Sequence, residues 1–207
     1  MSLFITFEGG EGSGKSTQAK AIYKRLLSLN IPTLLTHEPG GTLLGNSLRR
    51  WLKDKGEIDP RTELLLFNAS RAHLVSHVIR PALEKGIVVI CDRFAESTIA
   101  YQGYGRGFDL NLIEAINNIA TQGLKPDLIV FLDIHVDHGL ARKGKRDRFE
   151  REEIAFHQRV RSGYLEMASK DPERWMVIDG SLPKKDIQGI IWERVEMLPG
   201  PREESRL

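Results

Sequence analysis

A chain of 207 residues is long enough for one domain with a sizeable core and short for two. Lys and Arg number 30 against 28 acidic residues, a formal net charge of +2. No global field therefore draws the protein onto nucleic acid or an anionic membrane, and any anion site has to be local. The lone Cys91 excludes a disulfide scaffold; with no basic-then-apolar leader and no apolar run near ~18 residues, the expected setting is cytoplasmic, without membrane partners.

In chain order, Leu3-Phe4-Ile5-Thr6-Phe7 is short, apolar and β-rich and runs into a glycine cluster, the pattern of a buried parallel strand feeding a tight loop. Gly9, Gly14, Lys15 and Ser16 then fit G-x-x-x-x-G-K-[ST], and a helix is expected from Lys15 to about Ser28. Between a strand and a helix, this spacing has a physical meaning. Glycines let the backbone curl until consecutive N–H groups face phosphate oxygens, and the helix N-terminus adds partial positive charge. Lys15 reaches the β and γ phosphates, and Ser16 ligates Mg2+. The loop of Gly9, Gly10, Glu11, Gly12, Ser13, Gly14, Lys15, Ser16 and Thr17 is thus the candidate cradle for a purine nucleoside triphosphate, ATP, with Mg2+.

Further apolar runs at Thr33 to Thr36, Ile87 to Cys91, Leu128 to Leu132 and Trp175 to Ile178 alternate with stretches of helical spacing. They predict an α/β protein of the three-layer P-loop NTPase kind, a five-stranded parallel sheet with helices on both faces, as one domain over residues 1–198. Asp59-Pro60 has the form of an N-cap with proline at the first helical position, opening an apolar-striped segment towards Leu83 that Pro81 should bend or end. The polar tail 199–207 is expected to fray.

Regulatory GTPases carry Asn-Lys-x-Asp and a glycine three residues after the third-strand aspartate. Here Asp92 is followed by Arg93-Phe94-Ala95, so a switch protein is disfavoured. Asp92 ends an apolar strand, which sets a carboxylate near the Mg2+ site and the Arg93 guanidinium beside it, suited to a second phosphate.

From Phe7-Glu8-Gly9 through Glu38-Pro39-Gly40-Gly41-Thr42, Leu66-Phe67, Arg71, Asp92-Arg93, Ala100-Tyr101-Gln102-Gly103, Pro126-Asp127 and Leu132-Asp133 to Asp147-Arg148 and Tyr164, the chain resembles the bacterial thymidylate kinases. The resemblance implies transfer of the ATP γ-phosphoryl group to dTMP. It places Phe67 on the thymine ring and Arg71 at the base edge, four residues on and so on one helix face. Arginine is a pure donor that suits the O4 acceptor of thymine and meets the amino group of cytosine badly. Taken alone, Phe67 reads as a core aromatic, Arg49 as a solvated helix residue and Tyr101 as packing. By resemblance, Arg49 and Arg93 grip the acceptor phosphate and Thr98 and Gln102 touch the base. Tyr101 excludes a 2′-hydroxyl, Glu11 contacts the 3′-hydroxyl, and Glu38 organises Mg2+ or its loop.

An acceptor that is already an anionic phosphate, with a second pKa of about 6, needs no strong general base. Catalysis then falls to Lys15, Arg93, Mg2+ held by Ser16 and Asp92, and arginines of a lid at about 142–151. Because Glu11 stands where one branch of the family has arginine, the resemblance favours a lid arginine, Arg146 or Arg148, with Arg142 nearer the adenine. A basic solvated surface is the bland alternative for that segment. His37 stands where bacterial members usually have arginine, and the lid is a few residues short. The family is commonly homodimeric. Open alternatives are a kinase for another nucleotide or nucleoside, or a non-catalytic nucleotide sensor. His73 and His77 have the spacing of a zinc pair without the intervening glutamate of a metalloprotease, and Cys91 reads as a buried structural thiol.

Overall fold

The computed structural model describes residues 3–53, 57–142 and 148–198. Five strands, β1 (Phe4–Glu8), β2 (Thr33–His37), β3 (Val88–Asp92), β4 (Leu128–Asp133) and β5 (Trp175–Asp179), fall within a residue or two of the expected runs. They form one sheet in the order β2-β3-β1-β4-β5, and every pairing is parallel. Helices α1 (Lys15–Ser28), α2 (Leu43–Lys53), α3 (Pro60–Leu74), α4 (Arg80–Glu84), α5 (Ala95–Thr98), α6 (Leu110–Thr121), α7 (Val136–Ala141), α8 (Ile154–Lys170) and α9 (Lys184–Met197) connect and cover them, with a 3-10 turn at Phe149–Arg151.

Successive strand residues point to opposite faces, so both faces of this buried sheet need cover. On one, Ile5, Phe7, Ile90 and Val130 pack with Ile22 of α1 and Ile191 of α9. On the other, Phe4, Val89 and Cys91 pack with Leu74 and Ile79, while Ile129 and Phe131 pack with Val160 and Tyr164 of α8. The Cys91 thiol donates to the Arg93 carbonyl at 3.1 Å, and burial pushes it up from its ordinary pKa, as expected of a structural cysteine.

Asp59 caps α3 as expected, its carboxylate accepting from the backbone N–H of Arg61 and Thr62. Pro81 does not stop the segment; a π turn at Val75–Ile79 carries α3 into α4, which runs to Glu84. Proline lacks an N–H and its ring crowds the carbonyl four residues earlier, that of His77, so a widened turn there lets the chain pass. A second π turn, Ile99–Gly105, follows α5.

Because all strands run the same way, their last residues Glu8, His37, Asp92, Asp133 and Asp179 share one edge. Ligands of open α/β sheets bind outside that carboxyl edge, where the strand order reverses about β1.

Candidate active site

The loop between β1 and α1 holds Gly9 at φ 143°, Gly12 at φ 68° and Gly14 at φ 96°. A Cβ on Gly12 would stand 2.0 Å from the Gly139 carbonyl oxygen of α7, and one on Gly9 would stand 2.6 Å from that of Leu132 at the end of β4. The loop is therefore pressed against neighbouring backbone at a curvature that side chains forbid. Gly12→Ala is expected to weaken ATP binding at least about fivefold in calorimetric titration, since clash and strain of about 1–3 kcal/mol fall on the loop itself.

Lys15 is buried, and its Nζ donates to the Gly10 carbonyl at 2.7 Å and to Ser13 Oγ at 3.3 Å. Burial and then the Arg93 charge push its pKa down to about 8, against the opposing pull of Glu11, Asp92 and Glu8. Ser16 Oγ donates a short bond to the Asp92 carboxylate. A hydroxyl and a carboxylate at the mouth of an amide-lined loop are hard oxygen donors, the kind Mg2+ takes when phosphates and water fill its remaining positions, so the residues fit that ion.

Arg93 has φ 72°, unusual for a residue with a side chain, and its amide donates to the Phe7 carbonyl. This left-handed step at the end of β3 turns the guanidinium back over β1. There it donates to the Gly9 carbonyl (3.1 Å), Ser97 Oγ (3.1 Å), Tyr101 Oη (3.1 Å) and Glu11 Oε1 (2.7 Å). Tyr101 Oη also donates to Glu11 Oε1 at 2.8 Å. Beneath them, buried Glu8 accepts from the Phe94 amide (2.7 Å), Ser97 Oγ (2.7 Å) and Tyr164 Oη (2.8 Å), clamping the turn after β3 to β1 and α8.

One cavity of about 880 Å³ opens along this edge. One end is walled by Gly12 to Thr17, Asp92 and Arg142, the other by Arg49, Phe67, Thr98, Tyr101 and Gln102, with Glu11, Glu38 and Arg93 between them. The volume suits drug-sized or cofactor-sized ligands. The sequence model of the family described as "Thymidylate kinase" matches residues 7–191. The chain belongs to the thymidylate kinase family. Thymidylate kinase of Dehalococcoides mccartyi strain CBDB1 is 52% identical over 99% of this chain and 100% of its own, and that of Thermomicrobium roseum is 47% identical over 94% and 95%. The crystal structure of thymidylate kinase from Ehrlichia chaffeensis superposes with a TM-score of 0.78 at 36% identity, covering 94% of this chain and 98% of that one.

In this member of the thymidylate kinase family, several expected site residues lie off the cavity wall. Gly9 and Gly10 form the base of the loop. Arg71 is 1% exposed, beneath the wall rather than on it. Its Nε donates to Glu38 Oε2 (2.8 Å), Nη1 to Thr98 Oγ1 (2.9 Å) and Asn117 Oδ1 (2.7 Å), and Nη2 to the Phe94 carbonyl (3.0 Å). Among the described residues the second Nη2 hydrogen has no acceptor. Arg142 Nη1 reaches the carbonyls of Gly180 (3.1 Å) and Gly12 (3.4 Å), beside the phosphate loop.

Arg148, expected at the transferring phosphate, is not on the cavity wall and bonds beside Phe149 and Leu52, which line it. Its Nη2 lies 2.6 Å from Glu63 Oε2, its Nε donates to the Leu52 carbonyl, and its guanidinium lies 4.4 Å over the Phe149 ring. Phe149 in turn tilts against Phe67 at 5.7 Å. Arg146, with most of the expected lid, lies outside the described residues. His37, paired in strand register with Asp92, lines the cavity, and burial with the Arg49 charge lowers its pKa.

Glu8, Glu63, Ser97 and Asn117 went unassigned by sequence reasoning. Glu8 and Glu63 did carry a signal, an acid inside an apolar strand and another on the inner face of an apolar-striped helix, where a charge needs a partner. His73 and His77 stack at 4.1 Å, and no group of three metal-binding side chains occurs among the described residues.

Proposed function

We propose that this chain transfers the γ-phosphoryl group of ATP to dTMP, yielding dTDP and ADP. The observation that carries the reading is the single cavity whose ends differ in kind. Backbone amides, Lys15 and the Ser16–Asp92 pair suit a triphosphate, while an aromatic face and amide and hydroxyl groups suit a base. Arg93 lies between them.

Mg2+, held through Ser16 and Asp92, would supply charge neutralisation on the β and γ phosphates. The loop amides and Lys15 hold the donor phosphates in line, and Arg93 with Arg49 holds the acceptor phosphate against them. The acceptor oxygen is already anionic, so no side chain has to remove a proton. Phe67 stacks on thymine, and the free Nη2 hydrogen of Arg71 meets O4. Glu11 and the Tyr101 hydroxyl, bonded to each other, face the sugar and close the space of a 2′-hydroxyl. A lid arginine, Arg146 or Arg148, completes the charge around the transferring group. For Arg148 this means exchanging Glu63 for phosphate, a swap that lid closure over both nucleotides would drive.

Leu43, Leu44 and Trp51 on α2, Leu65 on α3 and Ile119 on α6 are exposed, which supports pairing with a second copy of the chain. The balanced charge and the single free Cys91 support action in the reducing cytoplasm. Initial rates with MgATP and a panel of monophosphates test the function. dTMP should be the preferred acceptor, and a preference for UMP, CMP or AMP overturns the reading.

A further inference from the structure

The buried network around Glu63 lies beneath the base end of the cavity and bonds directly to a residue on the base wall. Glu63 sits on α3 with no exposed surface. Its Oε1 accepts from Gln102 Nε2 at 2.7 Å. Its Oε2 takes Arg106 Nη2 at 3.2 Å and lies 2.6 Å from Arg148 Nη2. Arg106 is itself tied to Glu152 at 2.6 Å, so the carboxylate is held from three sides.

A primary amide has one face that donates and one that accepts, and a binding site that leaves it free to rotate reads neither reliably. A carboxylate between two guanidinium groups only accepts. Gln102 must therefore turn its NH2 group to Glu63 and its carbonyl oxygen away, and among the described residues nothing donates to that oxygen. Gln102 lines the cavity next to Phe67 and Thr98. The π turn at Ile99–Gly105 sets it there, on the wall where an aromatic ring would lie against Phe67.

We propose that Glu63 is a positioning residue for base selection: by fixing the Gln102 amide, it presents an acceptor to the base and so demands an N–H at ring position 3. Thymine and uracil carry that hydrogen; cytosine offers a lone pair there, which would face the carbonyl oxygen with no proton between them. Rejection arises from the unpaired acceptors, in the way that a site built for a hydrogen bond turns away an analogue lacking it. This rests on the dTMP reading above and adds a second polar test to the one made by Arg71.

The test compares dTMP with 5-methyl-dCMP, which keep the same sugar, phosphate and ring methyl and differ at position 3 and the 4-substituent. In Glu63→Gln the partner can donate as well as accept, so Gln102 can flip. The ratio of kcat/KM for the two acceptors should fall about tenfold or more, while KM for MgATP stays within about twofold. Gln102→Met, with Glu63 intact, should lose the ratio similarly. If Glu63→Gln does not fold, Glu63→Asp retains the charge for Arg106 and Arg148 but withdraws the acceptor from Gln102, and should also lower the ratio. A folded Glu63 variant that slows both acceptors equally, leaving the ratio unchanged, overturns the inference alone. An unaltered enzyme that shows no preference for dTMP over 5-methyl-dCMP overturns it together with the substrate reading.

Discussion

Lys15→Met should abolish useful phosphoryl transfer, lowering kcat about 10³-fold, while the folded protein becomes no less stable. The two halves of that expectation share one cause. Lys15 is buried against the Gly10 carbonyl and Ser13, with its pKa pushed down to about 8 from 10.5. Folding thus works against the ammonium charge at neutral pH, and that penalty fades as pH rises from about 8 towards the unfolded value. Methionine has nearly the same length and removes the desolvated charge. Thermal unfolding should show an unchanged or higher Tm, and single-turnover rates with MgATP and dTMP should show the loss. A variant that loses activity only in proportion to folded protein would assign Lys15 to the structure instead of the reaction.

Arg71→Ala should do the reverse, striking stability and acceptor binding together. Removing one member of a buried ion pair costs about 3–5 kcal/mol because the other is left without compensation. Here the stranded groups are Glu38, Thr98, Asn117 and the Phe94 carbonyl. Burial has already pushed Glu38 up to about 7, with Arg71 holding it down. Without Arg71 the carboxyl rises further. A buried acid with a raised pKa opposes folding once it ionises, so the variant's deficit in Tm should be smaller at about pH 5.5 than at about pH 8.5. The double variant Glu38→Gln/Arg71→Met removes both charges and should recover much of the stability. It should not recover dTMP affinity, whereas MgATP affinity should change little in either variant. Equal losses for both nucleotides would show that Arg71 supports the whole cavity and does not read the base.

The phosphate loop and the sheet were legible in the sequence because both are local. Gly9, Gly12 and Gly14 lie in one short run and each answers to its own backbone angle or to a close carbonyl, while the strands announce themselves as apolar runs bounded by turn residues. The helix face shared by Phe67 and Arg71 was likewise a matter of four-residue spacing. Parallel order, both faces covered and the site at the carboxyl edge then follow from alternation of strands and helices.

The tertiary structure alone decided which charges meet. Glu63 finds Gln102, Arg106 and Arg148, Glu8 finds Phe94, Ser97 and Tyr164, and Arg71 finds Glu38 and Asn117, all across dozens of positions. Neither periodicity nor spacing encodes such pairs. The left-handed turn at Arg93 and the π turn at Ile99–Gly105, which aim Arg93, Tyr101 and Gln102 into one cavity, are likewise set by the packing around them. Local patterns state only that a buried charge needs a partner; long-range packing chooses the partner, because the cost of burying it is met only where the fold brings a complementary group within bonding distance.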